Sequence, residues 1–456
     1  MQRASIFTVE NIPLDKKIVN PSALLSGRAM SGSLWALFGF GGSQVLRLGS
    51  NLILTRLLFP EVFGLMALVQ VVLGAIQMLS DIGISTSVVR DKRGDDPEYL
   101  NTAWTLQVIR GAMIWLLCWL IAYPLAAFYE APELALLIPV VGLSALIHGF
   151  YTPSVMILKR HVKLKPLIVW ELIGQSVAVV STLLLAWYFR SIWAIAFGGL
   201  LGAVVTLILS YRLLPSIRPR FRLELEAAAN IYTFGKWIFI SSFISFFINK
   251  GDVLILGAFL TKENLGVFAI AAIWSKVVLE LLLKINQLVL LPLYSEIGRQ
   301  GNEESKLSVR KTRLYLLLAT LPLVWVLVVG GQFVIDFLYD SRYSSAGWML
   351  QILAVGTIGS IITVTTANAL LAFGDSYGFM LFQVARGLLL LACMTFGSHY
   401  FGIVGLISGI AASKFLCYPI LAFLVKKHQV WWPSLDLLAI ISSVLAIGLG
   451  LWVING

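Results

Sequence analysis

Long apolar stretches separated by short polar breaks recur along the chain from residue 29 to its end. About 20 residues of α-helix, at about 1.5 Å per residue, cross a hydrocarbon core of about 30 Å. Lipid offers no hydrogen-bond partners to an open sheet edge, and the sequence lacks the roughly ten-residue alternating segments of barrel strands. The pattern therefore predicts an all-α integral membrane protein.

The polar breaks predict about 13 transmembrane helices. Their spans are 29–55, 63–85, 100–128, 134–157, 166–189, 191–213, 232–259, 266–297, 313–338, 346–373, 376–400, 402–425 and 435–454. Grouped along the chain, they predict a cytoplasmic tail (1–28), an N-terminal six-helix lobe (29–214), an inter-lobe cytoplasmic linker (215–231), a C-terminal six-helix lobe (232–425) and an additional transmembrane helix (434–454). No predicted loop is long enough to form a soluble domain, so we expect the protein to act within the bilayer.

Composition and charge agree with this reading. The chain is 59% hydrophobic and only 12% charged, which excludes a water-soluble globular protein. The net charge of +11 does not indicate a nucleic-acid partner, because the basic residues are dispersed over short loops. Of the 34 Lys and Arg residues, 23 fall in or at the edges of segments on one side of the predicted topology, and only four lie on the other: Arg56, Arg190, Lys262 and Arg342. The positive-inside rule then places the N-terminus in the cytoplasm and the C-terminus in the periplasm.

An internal repeat relates the two predicted lobes. The segment Leu54–Ala67 aligns without gaps on Leu256–Ala269. The identical pairs, at a constant offset of 202, are Leu54 and Leu256, Leu58 and Leu260, Glu61 and Glu263, Gly64 and Gly266, and Ala67 and Ala269. An even number of helices precedes the second copy, so we expect parallel lobes related by an axis along the membrane normal.

Several segments resemble a known family. They are Leu54–Leu65, Asp81–Arg90, Asn101–Gly111, Asn249–Gly257 and Leu291–Ser295. They look like the polysaccharide transporters, the O-antigen and exopolysaccharide flippases of the multidrug/oligosaccharidyl-lipid/polysaccharide exporter superfamily. This resemblance implies two six-helix lobes around a central cavity, alternating access in the bacterial inner membrane, and a substrate of sugars on a polyprenyl diphosphate. Members of the family commonly have 12 or 14 helices, so the predicted thirteenth is a departure.

Ionisable side chains within the spans are the candidate site residues, because a charge at mid-bilayer costs about 3 kcal/mol unless it faces protein or water. Cations outnumber carboxylates among them, which suits the diphosphate that the resemblance implies, since Arg and Lys bind phosphate. The candidate substrate-binding cations are Arg47, Arg110, Lys250, Lys276, Lys284, Arg386 and Lys414. Arg47, Arg110 and Lys250 are the first choices. The alternative is that these charges only neutralise one another, as Lys276, Glu280 and Lys284 would do at helical spacing.

Carboxylates within the spans are candidates for coupling transport to an ion gradient. Glu171 and Asp252 are favoured, and Asp81 lies closer to the predicted cytoplasmic end. A proton or a sodium ion would suit such a group, and the sequence does not name the ion. The four histidines show no metal-binding spacing. We therefore expect no metal and no cofactor.

Three other functions remain as alternatives. A phosphate-binding loop for ATP is missing, so transport would depend on a gradient or on removal of product. A membrane-embedded polysaccharide ligase or polymerase would be expected to carry a large charged periplasmic loop, and a cation-coupled drug exporter would favour a carboxylate-rich cavity. A peptidoglycan precursor flippase would be expected to have 14 helices. We expect no enzymatic activity, and as partners membrane lipids, lipid-linked oligosaccharide and polysaccharide polymerase or export proteins.

Overall fold

The structure is a computed structural model that describes residues 21–80, 83–214, 219–231, 246, 251–300 and 303–455. These residues form helices and connecting turns, and no strand occurs among them. The helices are α1 (Pro21–Leu57), α2 (Pro60–Leu79), α3 (Ile84–Arg90), α4 (Pro97–Phe128), α5 (Leu134–Gly149), α6 (Ser154–Arg160), α7 (Leu164–Phe189), α8 (Ile192–Leu213), α9 (Lys262–Ile285), α10 (Leu291–Gln300), α11 (Glu303–Leu338), α12 (Ala346–Ala372), α13 (Ser376–Leu416), α14 (Tyr418–Lys426) and α15 (Pro433–Asn455).

The predicted spans correspond to these helices. In the described part of the chain, nine helical stretches are long and apolar enough to cross a membrane, or ten if the bent pair α5 and α6 forms one span. Gly402 divides one of them, α13, because its φ of 57° and ψ of −137° break the helix where the sequence predicts a boundary between two spans. The predicted seventh span lies largely outside the described residues, which include its helical end, 251–259. The prediction of an all-α membrane protein of about 13 transmembrane helices is confirmed.

Helix packing groups the bundle into two lobes. In the N-terminal lobe (N-lobe), α4 packs on α5, α7 packs on α8, and α1 packs on α7. In the C-terminal lobe (C-lobe), α12 packs on α9, α11 and α13. Small residues allow the closest approaches, as where Gly198 faces Thr182 and Gly202 faces Ala178 between α7 and α8. Such contacts replace the hydrophobic driving force that is missing between helices in lipid.

The two lobes meet where α2 packs along α9. A Cβ atom on Gly64 would lie 2.0 Å from the carbonyl oxygen of Lys262, and one on Gly266 would lie 1.8 Å from that of Pro60. Both contacts join positions of the internal repeat, because Pro60 and Lys262 have the same 202-residue offset as the two glycines. This contact between α2 and α9, which we call the seam, is therefore two-fold symmetric, as the sequence repeat predicts.

Two loops extend this seam in a reciprocal way. The Tyr339 hydroxyl donates to the Asn51 side chain at 3.0 Å, and the Tyr343 hydroxyl donates to the Leu58 carbonyl at 3.3 Å. From the other lobe, Tyr129 donates to the carbonyl of Leu254 at 3.3 Å. Each lobe thus donates hydrogen bonds to the first helix of the other lobe or to the residue that follows it.

An ion pair adds to the same contact. The Lys262 ammonium donates to the Glu133 carboxylate at 2.9 Å, from the start of α9 to the turn before α5. That hydrogen bond lowers the pKa of the Glu133 carboxyl below its ordinary value. We call this side of the bundle, marked by Gly64 and Gly266, the closed end.

The buried apolar side chains also join the two lobes at the closed end. One large cluster contains residues of both lobes, among them Leu58 and Leu260. None of the other clusters contains residues of both lobes, although one includes part of the predicted linker and two include residues of α15 or of the turn before it. The lobes therefore share a core at the closed end, and a cleft separates them away from it.

The thirteenth helix is fixed to the C-lobe by a buried ion pair. Arg313 of α11 is fully buried and donates to the Asp436 carboxylate in the first turn of α15. The same carboxylate accepts from the Tyr418 hydroxyl at 2.7 Å, and Arg313 also donates to the Thr365 hydroxyl at 3.3 Å. An ion pair removed from water in this way is stable only when further hydrogen bonds satisfy it.

The described part of the predicted linker, 219–231, comes after α8 in the chain and lies against α4. Backbone N–H groups of Arg220, Arg222 and Glu224 donate to side chains of Asn101, Thr105 and Thr102, respectively, at 2.9 to 3.1 Å. Arg93 forms an ion pair with Glu224 at 2.9 Å. This segment is therefore packed on the N-lobe. The lobe boundaries themselves stay a prediction.

We expect Gly64→Ala and Gly266→Ala to destabilise the protein by about 1 to 3 kcal/mol, because each new Cβ would overlap a backbone carbonyl that cannot move aside cheaply. Gly74→Ala is the matched control, since Gly74 also lies in α2 and has open space at its Cβ position. Thermal unfolding in detergent measures the effect. Equal melting temperatures for the three variants would contradict this account of the seam.

Asp436→Ala should destabilise the C-lobe by about 3 to 5 kcal/mol, because it leaves the Arg313 guanidinium buried without its counter-ion. The double variant Arg313→Met with Asp436→Leu should recover most of that loss, since it buries apolar groups instead. The melting temperatures of the single and double variants, compared with wild type, test this. A double variant less stable than Asp436→Ala would show that the pair does not hold α15 in place.

Candidate substrate cleft between the two lobes

One face of α9 presents charged side chains to the N-lobe. Lys276, Glu280 and Lys284 recur every fourth residue, so they project from the same side of the helix. Lys276 lies ten residues beyond Gly266, about 15 Å from the closed end at 1.5 Å per residue. The charges therefore begin near the middle of the membrane and continue away from the closed end.

Glu280 forms an ion pair across the cleft. Its carboxylate accepts from the Arg47 guanidinium of α1 at 2.8 Å and from the Gln44 amide at 2.6 Å. The Arg47 and Glu280 side chains keep 42% and 33% of their surface exposed, so this pair faces open space. Sequence spacing left open a ladder within α9, whereas the structure pairs Glu280 with the other lobe.

A cavity of about 290 Å³ lies at this pair, between the lobes. Arg47, Met66 and Gln70 line it from the N-lobe, and Lys276 and Glu280 line it from the C-lobe. A cationic side chain from each lobe therefore borders one space, and a single carboxylate lies between them.

A second group of charges lies within the C-lobe, and we call it the C-lobe charge cluster: Asp252, Lys276, Arg386 and Lys414. The Lys276 ammonium lies 3.8 Å from the Asp252 carboxylate. Lys414 interacts electrostatically with the other three members, and its side chain packs against Gly356 of α12. One carboxylate among three cations gives the cluster a net positive charge, which favours an anion nearby.

Two other candidates lie on the N-lobe side. Glu171 of α7 interacts electrostatically with Lys284 across the cleft. Arg110 of α4 donates to the Gln77 carbonyl at 2.6 Å and to the Ser80 hydroxyl at 3.1 Å, and it borders a separate cavity of about 340 Å³. The structure thus does not bring Arg110 to the cavity that Arg47 lines.

The remaining candidates, Lys250 and Asp81, lie outside the described residues. Glu280 and Gln44 are cleft residues that the sequence did not single out as site residues. The sequence gives little indication of either role. The lysines at helical spacing from Glu280 offer it nearer partners, and an uncharged Gln within a span has no unusual energetic cost that would mark it. Within the described ranges, no group of three or more His, Cys, Asp or Glu side chains could hold a metal ion.

These features define a class: a polytopic helical membrane protein with two symmetry-related lobes and a charged cleft between them. Residues 53–347 match the polysaccharide biosynthesis protein family. The chain belongs to this family, which confirms the resemblance seen in the sequence.

Curated relatives carry related names. The succinoglycan biosynthesis transport protein ExoT of Rhizobium meliloti is 23% identical over 70% of this chain and 64% of its own length. The lipopolysaccharide biosynthesis protein WzxC of Escherichia coli is 22% identical over 84% of this chain and 78% of its own length. The chain thus spans less than two thirds of the ExoT protein.

Solved structures share the fold. The lipid II flippase MurJ in an inward closed conformation superposes with a TM-score of 0.70 at 11% identity, over 94% of this chain and 92% of that one. An inward-facing multidrug resistance MATE family transporter of the MOP superfamily gives 0.66 at 17% identity, over 86% of this chain and 95% of that one. At these identities the likeness concerns the fold.

A double-mutant cycle should detect the pairing of Arg47 with Glu280. Met at either position leaves one charge facing the cleft alone. The double variant should therefore lose less stability than the two single variants lose in sum, and the difference, the coupling energy, should be about 1 kcal/mol. Thermal unfolding supplies the four values. The same cycle on the exposed pair Glu303 and Lys306 is the control and should give a smaller coupling. Additive effects at positions 47 and 280 would mean that the pair is not formed.

Proposed function

We propose that this protein is a flippase that moves polyprenyl-diphosphate-linked oligosaccharides across the bacterial inner membrane by alternating access, for export of cell-surface polysaccharide. The observation that carries the proposal is the cavity between the lobes, which is bordered by Arg47 from one lobe and Lys276 from the other. A diphosphate can contact both cations only while it lies between the lobes. The names of the relatives, a succinoglycan transport protein and a lipopolysaccharide biosynthesis protein, support the same class of substrate.

The cleft provides an internal counter-ion for the resting state. Arg47 is bonded to Glu280 at 2.8 Å. An incoming diphosphate offers more negative charge and bidentate acceptors, so it displaces the carboxylate from the guanidinium. Lys276 and Lys284, each four residues from Glu280 on the same face of α9, then receive the displaced charge.

The closed end faces the periplasm in this proposal. The residues Arg56, Lys262 and Arg342, which the sequence assigns to the outer side, lie near the seam, and the strongly basic loops lie at the opposite end. The cleft then opens toward the cytoplasm, where lipid-linked precursors would enter. The N-terminus is cytoplasmic and, after 13 spans, the C-terminus is periplasmic.

Two six-helix lobes, at 29–214 and 232–425, move relative to each other about the seam, and the helix at 434–454 travels with the second. Lys250 and Arg110 add cations to the path, and Arg386 and Lys414 attract the anion into the C-lobe. Glu171, Asp252 and Asp81 are the candidate groups for coupling to a proton or sodium gradient. The protein acts as a transporter without catalysis or cofactor, and polysaccharide polymerase or export proteins are its expected neighbours.

A cation-coupled exporter of drugs or other small molecules is the second candidate. The structural likeness to a multidrug resistance transporter favours it. The cationic bias of the cleft favours an anionic substrate instead, as does the naming of the relatives. A membrane-embedded ligase or polymerase is a weaker third reading.

Arg47→Ala, Arg110→Ala and Lys250→Ala should each abolish glycan export while the protein remains in the membrane at normal abundance, because each removes a positive charge from the path. Lys311→Ala, at an exposed position of α11, is the control and should export normally. Cell-surface glycan and membrane abundance are the two measurements. Full export by all three variants would contradict these binding roles.

Deletion of the gene tests the function itself. A lipid-linked oligosaccharide should accumulate on the cytoplasmic leaflet of the deletion strain, and its head group identifies the substrate. Normal surface polysaccharide together with increased drug sensitivity would instead support the exporter.

A further inference from the structure

A third cavity, of about 460 Å³, lies inside the N-lobe. Residues of α2, α5, α7 and α8 line it, and we call it the N-lobe cavity. Met66 and Gln70 line both this cavity and the one between the lobes, so the two spaces adjoin. Its volume lies in the range of about 300 to 1,000 Å³ that is usual for small-molecule sites.

The lining of the N-lobe cavity is polar but uncharged. Three amides, three hydroxyl side chains of Ser and Thr, one phenol and one imidazole border it: Gln70, Gln77, Gln175, Ser144, Thr182, Thr206, Tyr151 and His148. Among its lining residues there is no carboxylate, ammonium or guanidinium group. The cavity between the lobes, in contrast, is lined by Arg47, Lys276 and Glu280.

Three of these side chains have no hydrogen-bond partner among the described residues: the Gln70 and Gln77 amides and the His148 ring. Gln70 and Gln77 lie seven residues apart on one face of α2, at about 9 and 20 Å from Gly64 along the helix axis. They are therefore at membrane depth, and Gln70 is exposed and Gln77 half-buried, so their amides are open to the cavity. A ligand that carries several hydroxyl groups could bond them.

The chemistry of the lining narrows the ligand. Among the lining residues a cation would find no carboxylate, and an anion would find no ammonium or guanidinium group, since Arg110 borders the adjoining cavity that Gln77 and His148 also line. An acyl chain would leave the amides unsatisfied. Amides and hydroxyls donate and accept hydrogen bonds in both directions, which is what the hydroxyl groups of a neutral sugar require. The aromatic ring of Tyr151 adds an apolar surface of the kind that a sugar ring also presents.

We infer that the N-lobe cavity receives a neutral, hydroxyl-rich sugar unit of the transported head group, while the cations between the lobes hold its diphosphate. This inference rests on the proposed flippase function. It divides the substrate between two adjoining spaces with different chemistry. Recognition of the glycan and recognition of the carrier lipid then depend on different residues.

The test compares two lipids bound to the full-length protein in nanodiscs. One is undecaprenyl diphosphate that carries a neutral disaccharide, and the other is undecaprenyl diphosphate alone. The double variant Gln77→Met with Ser144→Ala, at two lining positions that do not border the cavity between the lobes, should bind the glycosylated lipid about ten-fold more weakly than wild type, because it removes an amide and a hydroxyl group that would bond the sugar. Its affinity for the bare lipid should stay within about two-fold of the wild-type value.

Controls separate this inference from the proposed function. Gln351→Met, which changes an amide between α11 and α12 of the C-lobe, should leave both affinities unchanged. Arg47→Met should weaken both lipids. His148→Phe, at a lining position of α5, provides a second variant if the double variant does not fold, and it too should weaken only the glycosylated lipid.

Four outcomes would overturn the inference. Unchanged binding of the glycosylated lipid by the double variant and by His148→Phe would mean that the cavity holds water only. An equal loss for both lipids would mean that these side chains act on the diphosphate or on the fold. If wild-type protein bound neither lipid, the proposed function would fail as well, whereas equal wild-type affinities that both depend on Arg47 would leave that function standing and remove only the sugar site.

Discussion

The contact between the first turns of α2 and α9 determines most of the architecture. Gly64 and Gly266 let two backbones approach to distances at which any side chain would collide with a carbonyl group. The lobes are thereby joined at one end, and their helices diverge from there into a cleft. Because the contact is made by equivalent residues of a repeat, the two lobes contribute to it symmetrically.

Electrostatics inside the cleft follow from that divergence. Charges that would be prohibitive against lipid are tolerated where Arg47 and Glu280 face each other across a polar space. The C-lobe charge cluster is not balanced in this way, because three cations surround the single carboxylate of Asp252. The N-lobe cavity lacks formal charge altogether. The C-lobe charge cluster and the N-lobe cavity therefore differ in charge, the first net positive and the second lined by uncharged groups, and an amphiphilic anion experiences different surroundings in each.

The sequence predicts the membrane spans well because each depends on a local property, the length of an apolar stretch. The repeat around Gly64 and Gly266 was visible because it is colinear. The pairing of Arg47 with Glu280 was not, since the partners are 233 residues apart and the lysines near Glu280 offer a closer explanation. The sequence does not mark Gln70 as a site residue, because an uncharged side chain in a span costs far less than a charge and its position beside a cavity is visible only in the structure. The roles of the candidate site residues therefore stay predictions.

The described linker segment, 219–231, bears on how strongly the two lobes must hold each other. Its N–H groups at 220, 222 and 224 donate to side chains of α4, so this part of the connection is anchored to the N-lobe. Both lobes belong to one chain, which keeps each at a high effective concentration relative to the other. The contact between α2 and α9 therefore does not have to hold the lobes together alone.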